Sequence, residues 1–346
     1  MDGSVKSIQG ISVIITTRNR APTLRGALQD ILQQENEGVS HEVIIVDNNS
    51  TDETFEVVSS FQRHSPKLRY VFEEKVGISF GRNAGIQSSQ FDIIAFTDDD
   101  VRVANDWLAT IHRRLLADPE IDCVGGKVLP NWRTEPPRWL DKEHWWPLAL
   151  VDWGDEAFYT NAERPLCLPT ANCAFRREVF ENLGDFSPSY SGREDHELFL
   201  RFWQAGRIGL YAPELVVYAE VQDERLSKSY HRNWNRVTGR ANSKMRLDEL
   251  LTSDGRLRKM EIPQTTLFGI PGFLYREFLI EGGRLLKSLI AGTEGRRLQH
   301  ENRLCYLSSY MAQRHEEYVA SPPHSRLTEL GQFLAAIIRK KLRRGS

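Results

Sequence analysis

The chain has 346 residues, 45 Lys+Arg against 47 Asp+Glu, and a formal net charge of -2, so bulk nucleic-acid binding is disfavoured. Hydrophobic residues make up 40% and charged residues 27%, which excludes a disordered or fibrous chain and suits one large domain with an appendage. Four cysteines (Cys123, Cys167, Cys173, Cys305) form no CxxC pair, no apolar segment of signal type opens the chain, and no apolar run reaches bilayer-spanning length, so free thiols in a reducing, cytoplasmic setting are expected.

The first hundred residues alternate strand and helix signals. The uncharged β-branched run 11–17 reads as a parallel strand covered on both faces. Pro22, Leu24, Ala27, Leu28, Ile31 and Leu32 follow at helical spacing. Val43–Val46 is a second strand ending in Asp47-Asn48-Asn49-Ser50, with helix-start chemistry at Thr51, Asp52 and Glu53. Leu68–Phe72 reads as a third strand, Gly81–Ser88 as the start of a helix, and Ile93–Thr97 as a fourth strand running into Asp98-Asp99-Asp100. Strands separated by helical patterns predict a parallel sheet, whose ligand belongs at the carboxyl ends of the strands.

From Pro130 to Pro169 the composition changes. Five of the eight tryptophans (Trp132, Trp139, Trp145, Trp146, Trp153) crowd among prolines, as expected of a cleft wall or flap. Order returns at 177–183, 194–203 and 208–218. Beyond Arg225 the pattern is helical. Arg225, Lys228, Arg232, Arg236, Arg240 and Lys244 share one helix face, either a solvated surface or a stripe addressed to a pyrophosphate or an anionic lipid surface. Segments 273–290 and 298–311 are amphipathic. The end, apolar over 333–338 and basic over 339–344, reads either as an interfacial anchor touching a membrane or as a solubilising tail.

The densest chemical signal is Asp98-Asp99-Asp100. Three consecutive acids repel one another unless a cation neutralises them, and hard divalent ions such as Mg²⁺ or Mn²⁺ favour such an all-oxygen site. Asp47 ends a buried strand and can accept hydrogen bonds from sugar hydroxyls. Arg82-Asn83 lies among Gly77, Gly81 and Gly85, where close backbone approach and a charge suit phosphate or base. Neither GxGxxG nor GxxxxGK[ST] is present, which weighs against dinucleotide and P-loop readings. Glu194 and Asp195 open a helix, suiting both the dipole and general-base work.

These pieces resemble, in order, family 2 glycosyltransferases with the GT-A fold. The matching segments are Val13–Arg20, Ile44–Asp52, Arg82-Asn83-Ala84-Gly85, the triplet, Ala171-Asn172-Cys173-Ala174-Phe175-Arg176-Arg177, and Glu194-Asp195. The resemblance implies an α/β GT-A fold: a Rossmann-like, mostly parallel sheet flanked by helices, with a mainly helical C-terminal extension. It implies a transferase domain over 1–222, nucleotide-sugar binding at about 10–105 and an acceptor side at about 125–222, followed by a helical region over 223–346.

The implied activity is inverting transfer from a nucleotide-diphosphate sugar, UDP-sugar first, to a glycan or lipid-linked acceptor hydroxyl. Thr16, Thr17, Arg18, Asp47, Asn49 and Arg82 would line the nucleotide site, with Asp98 on the ribose or donor sugar. Asp99 and Asp100 would face Mg²⁺ or Mn²⁺ and the diphosphate. Asp195 would be the base and Glu194 would orient the acceptor, with Trp139, Trp145, Trp146 and Asn172 on the acceptor side. Many relatives carry a metal-binding His after the last sheet strand. Here that region reads Val217-Tyr218-Ala219-Glu220-Val221, leaving Glu220 or His231 as substitutes. A degenerate nucleotide-binding homologue, a sugar nucleotidyltransferase and a carbohydrate-binding protein are the alternative readings.

Overall fold

The computed structural model describes residues 8–34, 38–190, 192–252, 254–258 and 265–320, with Gly331 and Ala335. The apolar-then-basic segment at 333–344 therefore lies, Ala335 apart, outside the described residues. The chain divides into two compact units, one of residues 1–133, 148–221 and 255–257, the other of 134–147, 222–254 and 258–346.

The first unit is an α/β sheet. Its elements are β1 (Ile11–Thr17), α1 (Ala21–Leu32), β2 (His41–Asp47), α2 (Thr54–Gln62), β3 (Leu68–Phe72), α3 (Ile78–Ser88) and β4 (Ile93–Asp98). These are followed by β5 (Val101–Val103), α4 (Trp107–Ala117), β6 (Cys123–Trp132), β7 (Phe158–Thr160), β8 (Asn172–Arg176), α5 (Glu178–Leu183), α6 (Glu194–Gln204) and β9 (Gly209–Val221). The strand order is β3-β2-β1-β4-β8-β6-β9-β5, with β7 also on β9. The block β3-β2-β1-β4 is parallel throughout, and β8, β5 and β7 pair antiparallel to their neighbours.

The apolar runs at 11–17 and 41–47 form strands because both of their faces are covered: Ile11, Val13 and Ile15 are as buried as Ile44 and Val46. Helix α3 lies so close to β1 that its glycines have no room for a side chain. A Cβ at Gly81 would stand 2.3 Å from Thr16 Cγ2, and one at Gly85 2.4 Å from Ile14 Cγ2. The glycines around Arg82 therefore serve helix–strand packing.

The second unit contains α7 (Lys228–Lys244), α8 (Leu247–Leu250), α9 (Gly272–Ala291) and α10 (Glu294–Ala320). Its described core joins Ile270 and Leu274 to Tyr306, Leu307 and Tyr310. Helices α7 and α10 run side by side in the same direction. Gly239 allows that approach, since a Cβ there would stand 2.2 Å from the Tyr306 carbonyl oxygen.

The basic stripe belongs to this packing. Lys228 pairs with Glu294, Arg232 with Glu301 at 2.7 Å, and Arg240 with Glu316, all across to α10. Instead of addressing a pyrophosphate or a lipid surface, these three side chains zip two helices of one unit together.

Candidate active site

Register assembles the site. Parallel pairing sets Thr17 beside Asp47 and Thr16 beside Asp98, so the carboxyl ends of β1, β2 and β4 lie in one row. Asp99 and Asp100 follow in the turn after β4. The two loops beyond β1 and β2 are stitched together, with Asn19 Oδ1 accepting from the Thr51 N–H at 2.7 Å and the Ala21 N–H donating to Asp52 at 3.0 Å.

Within the triplet, the three acids have different surroundings. The Asp98 side chain is 36% exposed, whereas Asp99 and Asp100 are nearly enclosed. Thr17 Oγ1 donates to Asp99 at 2.6 Å, and Arg20 bridges Asp99 and Asp100 at 3.0 and 2.9 Å. Burial pushes the Asp99 carboxyl up to about 6, while Arg20 and Thr17 favour its charged form. Arg20 is a member of this cluster that the sequence pattern did not single out. The signal available was its place three residues beyond a strand end that neighbours three acids.

A second charge relay runs from the triplet to α6. Arg82 on α3 is buried and donates to Glu194 Oε1 at 2.6 Å, and it approaches Asp98 at 3.7 Å. Its guanidinium lies over the Phe186 ring, 5.4 Å from the centroid. Glu194 is buried, and its Oε1 is engaged by Arg82. Next to it, Asp195 is a fifth exposed and accepts from the His196 backbone N–H at 2.7 Å and pairs with His196 Nδ1 at 2.9 Å. Burial opposes the Asp195 charge, but His196, Arg193 and Arg82 outweigh it and hold the carboxyl well below the ordinary range. Burial and Arg193 likewise push the His196 imidazole down.

Around this row, Thr16 Oγ1, Thr97 Oγ1 and Glu194 Oε2 are buried with no hydrogen-bond partner among the described residues. Buried polar atoms are normally satisfied, and these three stand at or beside the ends of β1 and β4 and the start of α6.

Other expected residues are placed differently. Asp47 is buried, one oxygen taking the Ser50 N–H at 2.8 Å and the other the Tyr70 hydroxyl at 2.7 Å; burial, and then this bond to Asp47, pushes the tyrosine pKa up. Asn49 adopts a positive φ of 61° and donates to the Glu74 carbonyl at 3.0 Å. Arg18 is exposed at the end of β1.

Asn172 is corrected from the acceptor side to the sheet interior. It is fully buried, accepts from Trp107 Nε1 at 2.8 Å, and donates to the carbonyls of Lys127 and Leu215 at 2.9 and 2.8 Å. Trp139 is also a packing residue, 9% exposed and edge-on to His144 and His231. Trp145 is half-buried beneath Lys142, and Trp146 is 38% exposed, both in the second unit.

Of the two substitutes for the missing His, Glu220 comes to the triplet. Its backbone N–H donates to the Asp100 carbonyl at 2.9 Å, and its carboxylate pairs with Arg133. His231 is fully buried in the second unit, and neither of its ring nitrogens has a hydrogen-bond partner among the described residues. Full burial leaves it no open face toward a metal.

The family model described as glycosyl transferase family 2 matches residues 12–184, a span that includes β1 to β4, the triplet and Arg82. The chain belongs to glycosyltransferase family 2. It is 26% identical over 187 residues to the glucosyl-dolichyl phosphate glucuronosyltransferase of Haloferax volcanii, covering 54% of this chain and 58% of that one. It is 28% identical over 195 residues to the succinoglycan biosynthesis protein ExoM of Rhizobium meliloti, covering 54% and 59%. The family 2 chain thus spans less than two thirds of these relatives.

Two solved structures share the fold. The mannosyltransferase PcManGT from Pyrobaculum calidifontis, in complex with GDP-Man and Mn²⁺, superposes with a TM-score of 0.52 at 19% identity, over 97% of this chain and 82% of that one. S. aureus TarS 1–349 in complex with UDP gives 0.51 at 15% identity, over 91% and 93%. The architecture is GT-A: a central sheet, parallel at its core, flanked by helices, with a helical C-terminal region. Among the described residues, no helix is long and apolar enough to cross a membrane.

Proposed function

We propose that this family 2 chain is an inverting glycosyltransferase that moves a sugar from a nucleoside-diphosphate sugar, UDP-linked first, to an acceptor hydroxyl. The observation that carries the reading is the single row of Thr16, Thr17, Asp47 and Asp98 at three parallel strand ends, joined by Arg82 to the start of α6. A nucleotide laid along such a row meets carboxylates for its hydroxyls and orphaned hydroxyls for its polar edge. The structures with GDP-Man and with UDP bound to the same fold support a nucleotide donor.

The donor set fits a hard divalent cation. Asp98, Asp99 and Asp100 offer only oxygen, and a cationic group, Arg20, already bridges two of them with a side chain 40% exposed and so able to withdraw. Asp99 and Asp100 would hold Mg²⁺ or Mn²⁺, with Glu220 beside them, and bound metal would neutralise the departing diphosphate. Arg82 keeps a positive charge on the same side of the site.

Asp195 takes the acceptor proton. Its neighbours hold it ionised, the state a base requires, at some cost in basicity. The acceptor oxygen loses its acidity barrier as its bond to the anomeric carbon forms. The proton then passes to Asp195 while the bond to the diphosphate breaks on the opposite face, inverting the centre. The basic stretch at 339–344 gives the chain a contact with the inner face of the plasma membrane.

The test is nucleotide binding by calorimetry with and without Mn²⁺. Asp100→Ala should abolish Mn²⁺-dependent UDP binding with the melting temperature preserved. Unchanged affinity and unchanged Mn²⁺ dependence would remove the metal assignment.

A further inference from the structure

Helix α9 distributes its charge unevenly. Both of its carboxylates turn towards α10, Glu277 accepting from Arg303 at 2.9 Å and Glu281 pairing with His300 at 2.5 Å. Leu274, Glu281 and Ser288 form its buried side. The opposite side is apolar and open: Leu279 is 75% exposed, Leu286 66%, Leu289 53% and Ile290 90%. Leu279, Leu286 and Ile290 are spaced seven and four apart, which puts them on one stripe. Along its edge stand exposed Arg276 and Lys287, while Arg284 pairs with Glu281 at 3.1 Å on the cleft side. Arg276 and Arg284 also line a cleft of about 1170 Å³ bordered by α9 and α10.

We propose that this face of α9 docks on an anionic lipid bilayer, its aliphatic side chains entering the headgroup boundary and Arg276 and Lys287 meeting lipid phosphates. A contiguous apolar stripe of this kind marks a contact surface, since scattered single hydrophobes are what ordinary solvated faces carry. Charge selects the occupant. A second copy of the chain would bring the same cations against these, and the chain's own end, with Arg339, Lys340, Lys341, Arg343 and Arg344, would do the same. Anionic headgroups are the complement, and a helix apolar on one side with basic residues at the border lies in the interface plane without crossing it. The claim is separate from the tail contact and from the donor chemistry, because it requires neither the segment beyond Ala320 nor turnover.

The test is sedimentation of the full-length chain with vesicles of phosphatidylcholine alone and of phosphatidylcholine mixed with phosphatidylglycerol. The wild type should sediment only with the mixed vesicles, and less as salt is raised. Leu286→Ser with Ile290→Ser should lower partitioning by about tenfold or more, with an unchanged circular dichroism spectrum. Arg276→Gln with Lys287→Gln should lower it several-fold and flatten the salt dependence, and this pair carries the test if the serine variant folds poorly. Wild-type protein that ignores anionic vesicles would overturn the proposal, as would variants that bind like it. So would a wild-type dimer by light scattering that the serine variant converts to monomer with vesicle binding untouched.

Discussion

The strand-end row in the first unit and the α7–α10 seam in the second are both dense in charge, yet they use it in opposite ways. At the seam, Lys228, Arg232 and Arg240 each find a glutamate on α10, and half of the six-residue stripe is used in holding two helices together. At the row, acids outnumber the cations facing them: Asp98, Asp99, Asp100 and Glu194 share Arg20 and Arg82. Three neighbouring polar atoms there are buried without partners. The ion pairs of the seam answer one another within the unit and call for no ligand. The row gathers four acids around two arginines at the carboxyl ends of parallel strands, where a sheet of this kind takes its ligand, and that placement is what suggests a functional cluster.

The largest expected effect tests the row. Asp195→Asn keeps the size and the hydrogen bonding of the side chain but removes its basicity, so turnover should fall at least about a hundredfold with donor affinity nearly unchanged. The measurement is kcat with any acceptor the protein uses, alongside UDP affinity. Near-wild-type turnover would place the base elsewhere. Glu194→Gln should act differently, weakening the fold along with activity, because it strips a buried partner from Arg82.

The contrast also explains what the sequence disclosed. The strand ends were legible because apolar β-branched runs stop abruptly at Asp47 and Asp98, and a parallel sheet places ligands at such ends. The helical pairing of the stripe was not legible, since the acids that answer Lys228, Arg232 and Arg240 lie 66 to 76 residues further on. Periodicity reports a face and says nothing of its partner. The tryptophans misled in part for the same reason: Trp139 and Trp146 look alike in sequence, but Trp139 packs between His144 and His231 while Trp146 stays exposed. Asn172 sat within a motif, and only the pairing of β8 between β4 and β6 shows that its amide is spent on Trp107, Lys127 and Leu215.

The seam should break at its closest approach. Gly239→Ala drives a methyl against the Tyr306 carbonyl, backbone that cannot swing aside, so α7 and α10 must separate. The expected loss is about 3 kcal/mol, the upper part of the range for overpacking. Thermal melting and proteolysis of the second unit should show it, with UDP binding retained. A melting temperature within a degree of wild type would mean that the helices are less tightly apposed than the geometry shows.

A pH dependence sharpens the comparison within the second unit. Burial, with a smaller contribution from His144, pushes His231 down to about 4. The unfolded chain takes up this proton near pH 6.5, so between pH 6.5 and 4 the unfolded state binds more protons than the folded one. The stabilisation is fully present above pH 6.5 and is lost as the pH falls through that window, by about 2 kcal/mol between pH 7 and 5. His231→Phe should flatten the difference in melting temperature between these two pH values. An unchanged slope in the variant would assign the dependence to other groups, His144 first.

The smallest effect belongs to the most conspicuous ion pairs of the seam. Arg240 and Glu316 are each 52% exposed, so water screens their attraction and the long side chains lose rotamer freedom to meet. Arg240→Gln should cost less than about 1 kcal/mol, and the coupling in a double-mutant cycle with Glu316→Gln should be similarly small and vanish in high salt. Arg232 and Glu301 are more enclosed, at 35% and 26%, and the same cycle there should give the larger coupling of the two. If the exposed pair proves as strong as the enclosed one, position along the seam governs its strength and burial does not.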